Sequence, residues 1–345
     1  MPRSAAREIP ERNGNSSSGL HSRWFGALTT AIHHPCRFQQ FTSRSRNVRI
    51  KRTLSVGTAL AVSCLATVVA TNATAANPAP VHSQQHEHGM GLDLAALRAH
   101  KAPKSPVKHG ALQAPRTRSG DVPSSFDLST YALSPGDQGR VGSCVTWATG
   151  YSGYGILMKE QGISGSPMAP MFIYSQIAQG NDQGTWASVA LPMEQKQGID
   201  TKDDYWQGDF DYTTQPDDNE RANAAHYTLS GWTQLPTSGS KAKAAIQDAI
   251  SQGMPVPIGF TVHKSFMDMD AETASSYSYL PGKSNSDPVE GGHEVTIVGY
   301  NDKGVKIENS WGGNWGDGGF FTVPWSFFDT GDVDEVSAMG KLVKS

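Results

Sequence analysis

The sequence has 345 residues, of which 37% are hydrophobic, 9% aromatic and 18% charged. This composition is that of a globular protein and excludes a collagen-like, coiled-coil or wholly disordered chain. The net charge of −3 hides a division, because residues 1–119 hold 16 basic and 4 acidic residues while residues 120–345 hold 13 and 28. An acidic domain of this size lacks the basic face that nucleic-acid binding needs, so we expect no nucleic-acid partner.

Two segments open the chain. Residues 1–47 are polar, with little hydrophobic periodicity, and are predicted to be an unstructured N-terminal extension. Residues 48–75 combine a basic start, an apolar run of about 17 residues and the triplet Ala73-Thr74-Ala75, which together predict a secretory signal peptide. We therefore expect a secreted, extracellular protein that contacts a membrane only through this transient signal peptide.

Three other readings of the N-terminal region stay open. In the first, translation begins near Val48, so that residues 1–47 are not part of the protein. The apolar run is short for a transmembrane anchor, which needs about 20 residues. A lipoprotein site at Cys64 fits poorly, because Ala61-Val62-Ser63 lacks the leucine expected before such a cysteine.

Residues 76–119 are poor in hydrophobic residues and contain five prolines, which predicts a linker or a short pro-segment. Within it, residues 91–98 have the pattern of two helical turns. The segment carries six basic and two acidic residues, so it could lie across the acidic domain and delay activity, or remain a mobile spacer. It is also rich in histidine; a metal site is one interpretation, and solvated histidines are the favoured one.

From about residue 120 to the C-terminus the pattern is that of a folded domain. Helices are predicted at 144–162, 168–178, 186–197 and 241–252. Strands are predicted at 255–262, 293–300, 306–309 and 319–323. Helices that precede strands predict an α+β fold with an N-terminal helical lobe and a C-terminal antiparallel sheet lobe.

Cys144 is the only cysteine that remains after removal of the predicted signal peptide, so it has no disulfide partner within the domain. A Gly-rich turn leads directly from Gln138 to Cys144, where a helix is predicted to begin. The first turn of a helix favours a thiolate, because free N–H groups and the helix dipole stabilise its charge. A buried structural cysteine is the alternative, but its usual neighbours are aliphatic on both sides.

A reactive thiolate needs a proton partner and a group that stabilises an oxyanion. His293 opens a predicted strand, and Asn309 ends the next one, sixteen residues later. An asparagine on a neighbouring strand could hold the second imidazole nitrogen, and Trp311 could shield that bond from water.

These segments resemble the papain family of cysteine peptidases over roughly residues 120–328. The resemblance implies that Cys144 is the nucleophile, His293 the general base and acid, Asn309 the orienting residue and Gln138 an oxyanion donor. It also implies a papain-like two-lobed fold with the active site between the lobes. The family's first motif cysteine is Val141 here, and the tryptophan after the nucleophile is Val145, so the usual disulfides are absent from the domain.

Substrate-binding residues are suggested by the same resemblance. Gly184 lies where the family has a glycine that pairs with the substrate backbone, although a plain turn glycine is the alternative. Glu294 follows the histidine beside the second subsite, where a carboxylate could favour a basic side chain; a neighbouring partner or solvent are its alternatives. Trp311 belongs to the motif Asn-Ser-Trp-Gly at the site.

The sequence thus predicts a secreted thiol peptidase that cleaves peptides or proteins, acts as a monomer and needs no metal or organic cofactor. Two alternatives remain. One is another Cys-dependent acyl transferase, which Asn309 disfavours because such enzymes usually have Asp as the third member. The other is a catalytically idle papain-like fold that acts as a binding protein.

Overall fold

We describe the protein from a computed structural model, which describes residues 88–100, 108–110, 122–282 and 286–343. All of them belong to one compact unit, Asn77–Ser345. The predicted extension at 1–47 and the predicted signal peptide at 48–75 lie outside the described residues. None of the helices in the described ranges is long and apolar enough to cross a membrane.

Most of the helices precede the main strands, as the sequence predicts. They are α1 Leu94–Ala99, α2 Cys144–Thr146, α3 Tyr154–Gln161, α4 Pro170–Ala178, α5 Ala187–Gln197, α6 Asp218–Ala224, α7 Gly239–Ser251, α8 Lys264–Met267 and α9 Ala271–Ser275. A π-helical segment, Trp147–Gly153, joins α2 to α3, so one central helix runs from Cys144 to Gln161. It ends at Gly162, whose φ of 65° is the left-handed conformation that glycine adopts most readily.

The strands form one antiparallel sheet in the order β1-β3-β8-β4-β5-β6-β7, with β2 paired to β5. They are β1 Lys108–Gly110, β2 Phe126–Asp127, β3 Gly231–Gln234, β4 Val256–His263, β5 Val289–Tyr300, β6 Gly304–Glu308, β7 Phe320–Pro324 and β8 Val333–Met339. The four predicted helices and four predicted strands are confirmed, with ends that shift by a few residues. Strand β8 was missed, because Glu335 and Ser337 are buried on it and break the expected apolar pattern.

Two hydrophobic clusters form the core. One is centred on the sheet and includes Trp311, and the other is centred on the helices and includes Cys144. This arrangement confirms the predicted α+β fold with a helical lobe and a sheet lobe. The candidate site residues of the two clusters therefore meet where the lobes join.

Candidate active site

A short antiparallel contact joins the loop before the central helix to the loop after β6. Asp137 and Trp311 form a β-bridge. On either side of it, the Gln138 N–H donates to the Ser310 carbonyl at 2.9 Å, and the Gly312 N–H donates to the Gly136 carbonyl at 2.9 Å. We call this contact the interlobe clamp (residues 136–138 with 310–312). It fixes the distance between the helix that begins at Cys144 and the strand that ends before Asn309.

Cys144 begins the central helix and is completely buried. Its Sγ accepts a hydrogen bond from the backbone N–H of Glu294 at 3.4 Å, so the sulfur lies against the strand that carries His293. Val141 and Val145, where the family motif has Cys and Trp, are buried in the helical cluster. Buried valine side chains therefore replace the disulfide cysteine and the tryptophan of the family motif.

His293 lies on β5, and Asn309 follows directly after the neighbouring strand β6, as predicted. His293 Nε2 lies 2.7 Å from Asn309 Oδ1. The same Oδ1 accepts a hydrogen bond from the Ser310 N–H at 2.8 Å, which identifies this atom as the amide oxygen. An oxygen can only accept here, so Nε2 carries the ring proton of the neutral histidine and Nδ1 is left with its lone pair free. No described group forms a hydrogen bond with Nδ1.

Trp311 covers the histidine. Its ring stacks on His293 with a centroid distance of 4.5 Å and an interplanar angle of 25°. Phe266 packs edge-on against Trp311 at 5.4 Å. Both Trp311 and Asn309 are nearly inaccessible to water, so the bond between His293 and Asn309 lies in the apolar surroundings that the sequence predicts.

Both the nitrogen and the oxygen of the Gln138 side-chain amide form hydrogen bonds. Its Nε2 donates to the Val141 carbonyl at 2.9 Å, and its Oε1 accepts from the Ser310 hydroxyl at 2.6 Å. One of the two Nε2 hydrogens remains for another acceptor. The fixed amide lies in the loop that leads to Cys144.

Residues 88–92 of the predicted pro-segment lie in the cleft between these groups. The Gly89 N–H donates to the Gly139 carbonyl at 2.7 Å, and the Trp311 Nε1–H donates to the Gly89 carbonyl at 2.9 Å. At Gly91 a Cβ atom would lie 2.0 Å from the Gly142 carbonyl oxygen, so only glycine permits this approach. The segment therefore covers the loop that leads to Cys144 at backbone contact distance.

The same segment pairs with the region around Gly184. Leu92 and Thr185 form a parallel β-bridge, in which the Thr185 N–H donates to the Gly91 carbonyl at 2.8 Å and the Asp93 N–H donates to the Thr185 carbonyl at 3.0 Å. Gly184 itself approaches the Gly91 carbonyl so closely that a Cβ would lie 2.2 Å from it. The predicted backbone-binding position thus pairs with a peptide strand of its own chain, through Thr185, and Gly184 leaves room for that strand.

Three side-chain contacts also hold residues 88–100 in place. The His88 ring stacks on the face of Trp311 at 5.0 Å, and His100 packs against Trp186 at 5.0 Å. Arg98 Nε lies 2.7 Å from Asp334. The favoured prediction of solvated histidines is confirmed for His100, which is exposed, whereas His88 is half-buried against Trp311. Within the described ranges, no group of three potential ligands could hold a metal ion.

Burial controls the charge of Cys144 and His293. Complete burial, with a further contribution from the charge of Glu294, raises the pKa of the Cys144 thiol. Burial lowers the pKa of His293 to about 4, against the opposing effect of its hydrogen bond to Asn309. The predicted thiolate is therefore wrong for this covered state, in which both groups are neutral because neither reaches water.

Glu294 is completely buried, which excludes the solvent-facing alternative. Its carboxyl group neighbours that of Glu335, and burial together with Glu335 raises the pKa of Glu294 well above its usual value. Sequence reasoning missed Glu335, because it lies on β8, a strand that the pattern did not predict.

The comparisons with known proteins agree with this geometry. The profile described as papain family cysteine protease matches residues 122–330. The chain therefore belongs to the papain family of cysteine proteases, and the resemblance predicted from the sequence is confirmed.

Individual relatives cover different shares of the chain. A protein of Acanthamoeba polyphaga mimivirus, described as an uncharacterized peptidase C1-like protein, is 27% identical over 57% of this chain and 66% of its own length. The cathepsin B-like CP2 of Giardia intestinalis is 28% identical over 68% of this chain and 80% of its own length. The chain thus spans slightly less than two thirds of the viral relative. Among solved structures, xylellain, a cysteine protease from Xylella fastidiosa, aligns with a TM-score of 0.60 at 22% identity, covering 76% of this chain and 100% of xylellain, and it supports the papain-like fold.

Two further buried acids flank the central helix. Glu194 on α5 accepts a hydrogen bond from the Thr149 hydroxyl, and Glu308 lies at the end of β6. Burial raises the pKa of each of them to about 8. Near neutral pH both are held as neutral acids in the core under the site.

Replacing Glu194 by Gln is expected to change how stability depends on pH. In the unfolded chain Glu194 loses its proton near its usual pKa, whereas in the folded protein it keeps it until about pH 8. The wild type therefore loses stability as pH rises through this window, by at most about 1.4 kcal/mol per pH unit from this group. Glu194→Gln should lack that loss, so its unfolding midpoint relative to wild type should rise between about pH 5 and pH 8. A constant difference across this range would show that Glu194 does not titrate as described.

Proposed function

We propose that this protein is a secreted cysteine peptidase that hydrolyses peptide bonds through an acyl-enzyme intermediate. In this mechanism Cys144 gives its proton to His293 Nδ1 and its sulfur attacks the scissile carbonyl carbon. His293 then protonates the leaving amine, the peptide bond breaks, and His293 takes a proton from the water that hydrolyses the thioester. Asn309 keeps the imidazole in the required orientation.

The observation that carries this proposal is the free lone pair on His293 Nδ1. Asn309 Oδ1 accepts two hydrogen bonds, from His293 Nε2 and from the Ser310 N–H, and so fixes the tautomer in which Nδ1 is the basic atom. Because the Glu294 N–H bonds to Cys144 Sγ, the sulfur lies against the backbone of the residue that follows His293 on β5. A nucleophile beside an oriented base is the arrangement that acyl transfer requires.

Gln138 is the proposed oxyanion donor, together with the Cys144 backbone N–H. Support comes from the two hydrogen bonds that fix its amide while one Nε2 hydrogen remains available. Catalysis gains most from donors that are already oriented before charge develops. Ser310 would then act as a positioning residue for the amide.

The two rival functions have less support. An acyl transferase with an acidic third member does not match Asn309, which accepts from the histidine as a neutral amide. An idle binding protein has no chemical need for a fixed tautomer, a fixed amide and a free thiol at one place. The proposed substrates are peptides or proteins, and we propose that the protein acts as a monomer.

Replacing Cys144 by Ala should abolish hydrolysis while leaving the fold intact, because the side chain is small and the site of attack is lost. Cleavage of fluorogenic dipeptide amides under mild reductant measures this, and circular dichroism checks the fold. The comparison is made in the wild type and in a Gly91→Ala background, where the cleft is expected to be open. Appreciable turnover by pure Cys144→Ala protein would contradict the assignment, and an active Ser143→Ala variant is the matched control.

We also propose that residues 76–119 act as a pro-segment that blocks the site. Support comes from residues 88–92, which bond to Gly139, Trp311 and Thr185 on three sides of the cleft. The covered thiol and imidazole are both buried and neutral, whereas the proposed attack begins with proton transfer between them. Displacement of the segment would let water and substrate reach both groups.

Gly91→Ala is the direct test of this blockage. The new Cβ would overlap the Gly142 carbonyl. Such overpacking typically costs about 1–3 kcal/mol, and this cost should displace the segment. The rate of Cys144 alkylation by iodoacetamide, followed by mass spectrometry of its peptide, should therefore rise about tenfold or more. Ala95→Ser, a change of one heavy atom at an exposed position of α1, is the control. Equal alkylation rates in the wild type and Gly91→Ala would contradict the proposal.

Secretion remains a proposal based on residues 48–75 of the sequence. N-terminal sequencing of protein recovered from the culture medium should begin after Ala75. Recovery of the protein only from cells, with residues 48–75 retained, would contradict it.

A further inference from the structure

The peptide group between Val141 and Gly142, in the loop that leads to Cys144, is hydrogen-bonded through both its carbonyl and its N–H. Its carbonyl oxygen accepts from Gln138 Nε2 at 2.9 Å and from the Ser143 N–H at 2.8 Å. Because a peptide group is planar, its carbonyl and its N–H turn together. Whatever binds the Gly142 N–H therefore also sets the direction in which the carbonyl meets the Gln138 amide.

Asp182 binds that N–H. The Gly142 N–H donates to both carboxylate oxygens of Asp182, at 3.0 Å to Oδ1 and 3.1 Å to Oδ2. A Cβ at Gly142 would lie 2.8 Å from Asp182 Oδ1, so this close approach requires glycine. A hydrogen bond to an ionised acceptor is stronger than one between neutral groups. It also polarises the peptide group, which makes the Val141 carbonyl a better acceptor for Gln138.

Tyr174 extends this network to the edge of the cleft where the covering segment pairs. Its hydroxyl donates to Asp182 Oδ1 and accepts from the Gly184 N–H at 3.1 Å. Burial and the bond to Asp182 raise the pKa of Tyr174, so the hydroxyl keeps its proton and remains the donor. Gly184 precedes Thr185, which forms the β-bridge with the covering segment. Asp182 and Tyr174 thus join this edge to the loop that holds the Gln138 amide.

The bond from Asp182 matters because Gly142 gives the loop freedom to turn. Glycine has no Cβ and permits a wide range of backbone rotation. Val141 stands where the family motif has a disulfide cysteine, so no covalent bond ties the loop at this point. Without a partner for the Gly142 N–H, the peptide group could rotate and turn its carbonyl away from Gln138. A polar side chain at the surface therefore controls a buried amide.

We propose that Asp182 is a positioning residue for Gln138 and acts through the peptide group between Val141 and Gly142. This inference rests on the proposed peptidase function, in which Gln138 stabilises the oxyanion. An ionised carboxylate has no proton to donate, so Asp182 does not bind the oxyanion itself. It fixes the peptide group that holds the Gln138 amide, so that the amide is oriented before charge develops.

Replacing Asp182 by Ala should lower kcat about tenfold, part of the loss that removal of an oxyanion donor causes. The test uses the full chain with fluorogenic dipeptide amides, in the Gly91→Ala background where the cleft is expected to be open. Asp182→Asn is the matched control and should recover most of the loss, because its amide oxygen can still accept from the Gly142 N–H. Asp182 is exposed, so both variants are expected to fold, and circular dichroism checks this. Equal losses in Asp182→Ala and Asp182→Asn would overturn the proposal.

Alkylation of Cys144 by iodoacetamide separates the amide from the thiol. This reaction develops no oxyanion, so Asp182→Ala should change its rate by less than about twofold. A fall in the alkylation rate as large as the fall in kcat would overturn the proposal, because it would place the effect on the thiol.

A double-mutant cycle separates positioning from a general distortion of the loop. If Asp182 acts through Gln138, Asp182→Ala should lower kcat by less than about twofold in a chain that already carries Gln138→Ala. A general distortion would lower kcat by the same factor with and without the Gln138 side chain. Equal factors in the two backgrounds would overturn the proposal.

A measurement on the full chain without Gly91→Ala keeps the inference testable if no variant hydrolyses peptides. The Gln138 side-chain amide is observed by NMR with isotope-labelled glutamine, and its signal is assigned by its absence in Gln138→Ala. In Asp182→Ala the bonded amide proton should move toward the shift of a solvent-exposed glutamine, and in Asp182→Asn it should stay near its wild-type position. An unchanged signal in Asp182→Ala would overturn the proposal. This readout needs no turnover, so failure of the inference and failure of the proposed peptidase activity are distinguishable.

Discussion

The interlobe clamp, residues 136–138 paired with 310–312, is the contact on which the rest of the site depends. Cys144 and Gln138 come from the helical lobe, while His293 and Asn309 come from the sheet lobe. Three residues of backbone pairing hold the two sets within reach of one another. Since Gln138 and Ser310 belong to the clamp, the bond between their side chains is a consequence of it. The loop that fixes the two lobes also fixes the Gln138 amide.

Burial explains the chemical state of the covered site. A thiol and an imidazole exchange a proton readily when the charged pair is solvated or otherwise stabilised, and both groups here are withdrawn from water. The close approach of Gly91 to Gly142 is what makes the cover this tight, because any side chain at residue 91 would hold the segment away. The same contact therefore accounts for the blocked cleft and for the neutral pair. Acidic residues of the sheet lobe add to the effect, since the charge of Glu294 further disfavours a thiolate.

The sequence predicted those parts of the site that short local motifs encode. Short recognisable motifs contain each of the four candidate catalytic residues, Cys144, His293, Asn309 and Gln138. The order of helices before strands predicted the two lobes. The thiolate prediction failed because a helix start favours negative charge only where the group is partly solvated. Residues 88–92, more than fifty positions earlier, cover the loop that leads to Cys144, and no local pattern encodes that contact.

Glu335 could not be found for a related reason. It becomes part of the site through the pairing of β8 with β4, and its strand has an irregular pattern because polar residues on it are buried. Its carboxyl group neighbours that of Glu294, which the sequence did single out.

The central claim is that the covering segment holds the catalytic pair neutral, and the thiolate absorbance in the far ultraviolet tests it most directly. The difference spectrum between the full chain and its Cys144→Ala variant isolates this one thiol, because Cys36 and Cys64 are present in both. Recorded from about pH 5 to pH 8, the difference should contain no thiolate band, since burial raises the pKa of Cys144. A full thiolate band at about pH 5 in the intact chain would contradict the account, because it would mean that the ion pair exists beneath the segment.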